Sequence, residues 1–216
     1  MEVLILQAVS FQNASQIDRI VLFLHGYGAN GEDLINIGRY WDADLPGTLF
    51  IAPNAPYVHP YLQNGYMWFP FKDISNITLD DIKNGLLAIR PVIHNYIDEL
   101  SKIHKVPTYQ IIPVGFSQGG MIALDTLVTC HQMKVAICYA GSYYPFKNEL
   151  DAGVKKHALL VHGLEDSVVR YHYMKDAEAE LIKLGVYVKS VTCAGVGHSI
   201  SQEGILAGVN FLKEWS

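Results

Sequence analysis

Apolar runs of strand length alternate with segments of helical periodicity along the chain, and this alternation constrains the fold more than any other feature. Most of the runs are apolar nearly throughout, as strands are when both faces of their sheet are covered. The segments between them repeat apolar residues every three or four positions, which is typical of amphipathic helices. The pattern therefore predicts an α/β fold, with a mostly parallel sheet of about seven strands and helices on both faces. The expected strands span residues 3–9, 19–24, 48–52, 109–114, 134–140, 157–161 and 186–192.

Four helical segments are expected between and after these strands. The longest carries an apolar stripe from Leu79 to Ile103, and Pro91 is expected to kink it or divide it into two helices. The other three span residues 121–130, 171–184 and 200–215. At 216 residues, without repeats or linkers, the chain is expected to form a single domain over residues 1–216.

Composition and charge exclude several classes of function. The 16 basic and 21 acidic residues give a net charge of −5, and no basic run is present. A nucleic-acid groove and a polybasic membrane anchor both need clustered cations, so neither is expected. No apolar run approaches the roughly 20 residues of a membrane span. The beginning of the chain lacks the basic region and cleavage site of a signal peptide, so a soluble cytoplasmic protein is expected.

The three cysteines do not have the spacing of a metal site. Cys130, Cys138 and Cys193 are expected to be buried, reduced thiols. The sequence contains no other metal motif, and no cofactor or metal ion is expected to take part in the chemistry.

A G-x-S-x-G motif follows the predicted strand 109–114 and precedes a predicted helix. It reads Gly115-Phe116-Ser117-Gln118-Gly119. A serine on such a sharp strand-to-helix turn is exposed for reaction, and side chains two residues to either side would collide there. The N-terminus of the following helix also favours developing negative charge. Ser117 is therefore the predicted nucleophile.

A serine nucleophile needs a base and an acidic residue that orients the base, and both are found after later strands. The chain order for this kind of sheet is serine, acid, histidine. Asp166 follows strand 157–161 and is the predicted acid, with the adjacent Glu165 as the alternative. His198 follows strand 186–192 in a glycine-flanked loop and is the predicted general base.

Two backbone N–H groups are predicted to form an oxyanion hole. One belongs to Gln118, directly after the nucleophile, and the other to Tyr27, between Gly26 and Gly28 in the loop after an early strand. His25 in the same loop is expected to be structural rather than an acid or base.

An aromatic-rich segment at residues 57–71 is predicted to form part of an acyl pocket, since apolar pockets with few polar groups are the norm. Trp68 is the first candidate to contact the substrate, together with Phe69. Most rings of this segment are equally compatible with simple packing beneath the loop.

In their order along the chain, these motifs resemble the phospholipase/carboxylesterase family, which includes the acyl-protein thioesterases. The resemblance extends over nearly the whole chain. The segments that carry it are Leu24-His25-Gly26-Tyr27-Gly28, Ala52-Pro53-Asn54-Ala55-Pro56, Trp68-Phe69, Gly115-Phe116-Ser117-Gln118-Gly119-Gly120, His162-Gly163-Leu164-Glu165-Asp166 and Gly197-His198. Pro70 and Phe71 after Trp-Phe, and Arg170, differ from the eukaryotic thioesterases, and the pair after Trp-Phe is nearer the bacterial carboxylesterase pattern.

The resemblance implies an α/β-hydrolase fold and hydrolysis of carboxylic esters and thioesters by Ser117, Asp166 and His198, with Tyr27 and Gln118 as oxyanion donors. The interval 141–156 is too short for a helical lid domain. The expected partner is a small ester or thioester, and an acylated protein is a further candidate. The sequence allows a homodimer without predicting one. Two other functions stay open: a non-catalytic binding module on the same fold, and a peptidase or amidase with the same three residues.

Overall fold

The computed structural model describes residues 6–146 and 154–215. Its elements include a short 3₁₀ helix at Thr108–Gln110 before the sixth strand. The strands and α-helices, in chain order, are β1 (Ala8–Gln12), β2 (Arg19–Leu24), α1 (Gly31–Trp41), β3 (Thr48–Pro53), β4 (Tyr57–Val58), β5 (Tyr66–Met67), α2 (Leu79–His104), β6 (Ile111–Phe116), α3 (Gln118–Thr129), β7 (Val135–Tyr139), β8 (His157–Gly163), α4 (His172–Lys183), β9 (Tyr187–Cys193) and α5 (Gln202–Lys213).

The main sheet has seven strands in the order β1-β3-β2-β6-β7-β8-β9. Strand β1 is antiparallel to β3, and every other neighbouring pair is parallel. Helices α2, α3 and α4 contribute to the apolar core on one face of the sheet, whereas α1 and α5 contribute to the core on the other face. The predicted α/β architecture is thus confirmed. Apart from the first strand, the strands of this sheet lie within two residues of their predicted bounds. Helix α3 begins three residues earlier than predicted, and α1 was not predicted.

The first strand lies later in the chain than predicted. Residues 3–5 of the predicted strand 3–9 are outside the described residues, and β1 begins at Ala8. Its side chains alternate between exposed and half-buried, because only one face of this edge strand packs on the core. Val9 and Phe11 lie on that packed face. Of the predicted strand, the described residues Leu6 and Gln7 precede β1 rather than belonging to it.

Pro91 was expected either to kink the long helix or to divide it, and it does not divide it. Helix α2 continues through it from Leu79 to His104. Proline cannot donate the hydrogen bond to the carbonyl four residues earlier, which belongs to Leu87. Both Pro91 and Leu87 lie on the exposed side of the helix, where water can satisfy that carbonyl. Among the described residues, no helix, α2 included, has the length and apolarity needed to span a membrane.

The parallel register brings the carboxyl ends of the central strands to one edge of the sheet. Leu24 at the end of β2 pairs with Gly115 near the end of β6, and Gly163 at the end of β8 pairs with Cys193 at the end of β9. The loops that leave these four ends are therefore neighbours. The interval 141–156 leaves the same edge after β7, although its residues 147–153 are outside the described residues.

Two histidines near these strand ends are almost completely buried. His25, which is 1% exposed, accepts a hydrogen bond at Nε2 from the Ala55 N–H at 3.0 Å and donates from Nδ1 to the carbonyl of Gly26 at 2.8 Å. His162, which is 2% exposed, donates from Nε2 to the carbonyl of Val169 at 2.6 Å. Burial lowers the pKa of both rings because the imidazolium loses its hydration. Both therefore stabilise the fold as neutral groups.

We expect the free energy of unfolding to fall as the pH is lowered from 7.5 to 5.5. The unfolded histidines bind protons near pH 6.5, while the buried rings, whose pKa is lowered, resist protonation. The contribution of each neutral ring to the free energy of unfolding is complete above the pKa of histidine in the unfolded chain. Below that pKa it decreases by up to about 1.4 kcal/mol per pH unit for each such ring. Urea unfolding at the two pH values measures the loss.

The contribution of His162 is isolated by His162→Gln, whose amide keeps a donor for the Val169 carbonyl. At pH 7.5 this variant should have a lower free energy of unfolding than the native protein. Between pH 7.5 and 5.5, however, its free energy of unfolding should fall by less. The same substitution at His131, which is exposed, should leave the loss unchanged. An undiminished loss in His162→Gln would contradict the assignment.

Candidate active site

Ser117 lies on a strained turn between β6 and α3. Its φ of 53° and ψ of −115° place it in a region that favours glycine. The Ser117 N–H donates to the carbonyl of Tyr139 at 2.9 Å, and the Ser117 carbonyl accepts from the N–H of Met121 at 3.1 Å. Strand β7 and helix α3 thus hold the turn from both sides.

The two glycines of the motif are required by close backbone approach. A Cβ at Gly115 would overlap the carbonyl of Gly119. A Cβ at Gly119 would overlap the carbonyl of Leu24, at the end of β2. The predicted collision of side chains two residues before and after Ser117 is therefore confirmed.

Ser117, His198 and Asp166 form a continuous hydrogen-bonded chain. The Oγ of Ser117 is 3.0 Å from Nε2 of His198, and Nδ1 of His198 is 2.7 Å from Oδ2 of Asp166. With Nδ1–H donating to the carboxylate, a neutral ring presents Nε2 as an acceptor for the serine hydroxyl. The imidazole is partly open to solvent at 19% exposure, whereas the carboxylate is fully buried.

The structure also distinguishes the two candidate acids. Oδ1 of Asp166 accepts hydrogen bonds from the N–H groups of Val168 and Val169, both at 2.9 Å, which leaves Oδ2 for the histidine. Nε2 of the buried His162 lies 3.4 Å from that same Oδ2. Glu165 is exposed, and it is the carboxylate of Asp166 that is paired with His198.

The loop after β2 carries Tyr27 to the same site. Gly28 has a φ of 80°, which only glycine adopts readily, and its N–H donates to the carbonyl of Tyr66 at 2.8 Å. Among the described residues, neither the N–H of Tyr27 nor that of Gln118 has a hydrogen-bond acceptor. Both residues line one pocket with Ser117.

That pocket has a volume of about 530 Å³ and a mainly apolar wall. A volume of this size suits a small organic ligand or a chain of comparable bulk. Partial burial raises the pKa of the Tyr27 phenol, which keeps it neutral. The lining residues are Tyr27, Phe71, Ile74, Ile77, Ile82, Ser117, Gln118, Met121, Tyr144, Val168, Val169, Tyr173 and His198.

Trp68 and Phe69, the two residues predicted to contact substrate, are not among the lining residues. They are 0% and 2% exposed. The indole N–H of Trp68 donates to the carbonyl of His25 at 2.9 Å, which draws the ring beneath the loop. Phe71, two residues further on, lines the pocket instead and packs edge-on against Phe69.

Several pocket residues were not identified from the sequence. Ile74 and Ile77 precede helix α2, and Ile82 lies in its first turn. Of these three residues, only Ile82 belonged to the apolar stripe predicted for that helix. Val168 is 67% exposed and Tyr173 is 38% exposed, yet both lie at the pocket. Val168 and Tyr173 are both exposed apolar side chains close in the chain to Asp166. Exposure of this kind can be seen in the structure but cannot be derived from the sequence. In the part of the chain that the structure describes, no three His, Cys, Asp or Glu side chains are grouped to hold a metal ion.

Comparison with known proteins finds both sequence relatives and structural neighbours. The chain is 29% identical to acyl-protein thioesterase 1 of Candida albicans over 93% of this chain and 94% of that protein. It is 29% identical to acyl-protein thioesterase 1 homolog 1 of Dictyostelium discoideum over 90% and 89% of the two chains.

Among solved structures, the esterase PE8 superposes with a TM-score of 0.91 at 32% identity, covering 97% of this chain and 98% of the other. A Bacillus cereus carboxylesterase shares the fold, with a TM-score of 0.76 at 18% identity and coverage of 98% and 93%. The family model described as Phospholipase/Carboxylesterase matches residues 8–216, a span that contains the seven-stranded sheet and the whole of the site. The chain therefore belongs to the phospholipase/carboxylesterase family of α/β-hydrolases.

Proposed function

We propose that this chain hydrolyses carboxylic esters and thioesters through an acyl-enzyme on Ser117. The observation that carries the proposal is the alignment of Ser117 Oγ, both ring nitrogens of His198 and the carboxylate of Asp166 at 3.0 and 2.7 Å, beside an apolar pocket. A serine hydroxyl is a weak nucleophile and becomes effective when a base of this kind takes its proton.

In the first step, Ser117 Oγ attacks the acyl carbonyl carbon and forms a new C–O bond. Nε2 of His198 takes the hydroxyl proton as the carbonyl π electrons move to oxygen. The carboxylate of Asp166 accepts the Nδ1–H, which holds the ring tautomer and stabilises the imidazolium that forms. The two backbone donors to Oδ1 keep that carboxylate in place.

The negative charge on the former carbonyl oxygen needs hydrogen-bond donors that are already oriented. We assign this role to the N–H groups of Tyr27 and Gln118, because both residues line the pocket and Gln118 is the first residue of α3. The positive end of that helix adds to the stabilisation. One such donor typically contributes about 2.7–4 kcal/mol to the barrier reduction.

The tetrahedral intermediate then breaks its bond to the leaving group. His198 returns the proton to the departing oxygen or sulfur, and the acyl group stays on Ser117. In the second half-reaction, His198 takes a proton from water, the hydroxide attacks the acyl carbon, and the proton passes to Ser117 Oγ as the acid is released. This sequence needs neither a cofactor nor a metal ion.

The apolar wall of the pocket favours an acyl group over a charged one as the part of the substrate that it holds. Two of the relatives are named acyl-protein thioesterases, so we include an acylated protein with small esters and thioesters as candidate substrates. The homodimer, the single domain over residues 1–216 and the cytoplasmic location stay predictions.

Ser117→Ala should abolish labelling by a fluorophosphonate probe and lower kcat/KM for a nitrophenyl ester by at least about 10³-fold, because the nucleophile is lost. Ser190→Ala is the matched control, since Ser190 lies on β9 with its hydroxyl bonded to Glu178. The control should label and turn over as the unsubstituted chain does. Equal labelling of Ser117→Ala would contradict the role of Ser117 as nucleophile, and no labelling of the native protein would favour a binding module.

Matched ester, thioester and anilide substrates with the same acyl group test the leaving group. The ester and thioester should be cleaved much faster than the anilide, because an amide nitrogen leaves less readily and depends more on proton transfer from His198. An acyl-length series and acylated peptides, run in the same assay, then rank the candidate substrates. Faster cleavage of the anilide would overturn the proposal and favour the amidase alternative.

A further inference from the structure

Gln118 contributes to the site with its side chain as well as its backbone. We propose that the Gln118 carboxamide is a positioning group, which fixes the two oxyanion donors relative to each other through residues 66–69. The inference rests on the proposed function, since it concerns the stabilisation of the oxyanion formed after attack by Ser117.

The carboxamide of Gln118 is bonded at both ends to one short segment. Oε1 accepts the N–H of Trp68 at 2.9 Å, and Nε2 donates to the carbonyl of Phe69 at 2.9 Å. Gln118 is only 2% exposed. A buried amide that is satisfied at oxygen and nitrogen by successive residues has little freedom to shift, so it ties residues 68 and 69 to the start of helix α3.

The same segment is bonded to the loop that carries Tyr27. Tyr66 donates its N–H to the carbonyl of Ala29 at 2.8 Å and accepts the N–H of Gly28 at its own carbonyl at 2.8 Å. The indole N–H of Trp68 donates to the carbonyl of His25 at 2.9 Å. Residues 66–69 therefore connect the Tyr27 loop to the carboxamide of Gln118.

The Tyr27 loop needs this connection because hydrogen bonds of the sheet reach only as far as the end of β2, where the loop begins. Parallel pairing fixes Leu24 against Gly115, but residues 25–29 extend beyond the strand. Among the described residues, the hydrogen bonds that reach those five residues from other parts of the chain come from Ala55, Tyr66 and Trp68. The position of the Tyr27 N–H relative to the Gln118 N–H thus depends on residues 66–69.

An oxyanion hole acts on the transition state, since its donors are aimed at charge that the ground state does not carry. A shift of either donor by about 1 Å can cost up to about 10²-fold in rate. Loss of the carboxamide bonds is therefore expected to lower kcat more than it changes KM. A merely structural role would instead lower stability without this selective loss.

Gln118→Met tests the inference, because methionine has a similar length and no amide. On a nitrophenyl ester, kcat should fall about 10- to 100-fold while KM stays within about twofold. A trifluoromethyl ketone is the second probe, since Ser117 adds to its carbonyl and places the resulting oxyanion between the two donors. Its affinity should fall by the same factor as kcat/KM.

Two tryptophans provide a matched pair that does not alter Gln118. Trp68 and Trp41 are both 0% exposed, and each donates its indole N–H to a backbone carbonyl at 2.9 Å. The acceptor of Trp41 is Ile205, in the core on the other face of the sheet. Trp68→Phe should lower kcat severalfold, whereas Trp41→Phe should lower the melting temperature to a similar extent and leave kcat unchanged.

The inference is overturned if Gln118→Met turns over at the native rate, if KM alone rises, or if Trp41→Phe lowers kcat as much as Trp68→Phe does. If Gln118→Met does not fold, the tryptophan pair decides the question. The proposed function fails separately, through activity retained in Ser117→Ala. Dependence on Ser117 together with native turnover in Gln118→Met and Trp68→Phe would reject the inference alone.

Discussion

The site depends on the close approach of two stretches of backbone, at Gly119 in the first turn of α3 and at Leu24 at the end of β2. No side chain fits between them, because a Cβ at Gly119 would overlap the Leu24 carbonyl. This contact brings the start of the helix beside the loop that leaves β2. Tyr27 and Gln118 consequently line one pocket, next to the strained residue Ser117.

The acid and the histidine reach the same point by a different route. They follow β8 and β9, which pair in parallel up to Gly163 and Cys193. Backbone N–H groups of two valines donate to one carboxylate oxygen of Asp166, and Nδ1 of His198 is bonded to the other. The ends of β8 and β9 therefore place Asp166 and His198 near each other, and local hydrogen bonds orient their side chains.

The sequence was informative where one local rule decided the structure. The hydrophobic pattern predicted the buried parallel strands, and the close approach of backbone explains the glycines around Ser117. The positions of Ser117, Asp166 and His198 after strand ends predicted that they come together. The choice between Asp166 and Glu165 needed coordinates, because adjacent residues in a loop differ only in which one turns inward.

The errors arose where tertiary contacts outweighed the local pattern. Trp68 is a large aromatic residue in a connecting segment, yet hydrogen bonds to Gln118 and His25 hold it beneath the loop and away from the pocket. Pro91 was expected to kink α2 or divide it, and it does not divide the helix, because its missing donor affects only a carbonyl on the solvent side. Neither outcome can be derived from residue type and spacing.

The most direct test of the central claim is a crystal structure of the protein after reaction with a fluorophosphonate. We predict phosphorus bonded to Ser117 Oγ and a phosphonyl oxygen about 2.7–3.1 Å from the backbone nitrogens of both Tyr27 and Gln118. An adduct on another residue, or a phosphonyl oxygen directed away from these two nitrogens, would contradict the account.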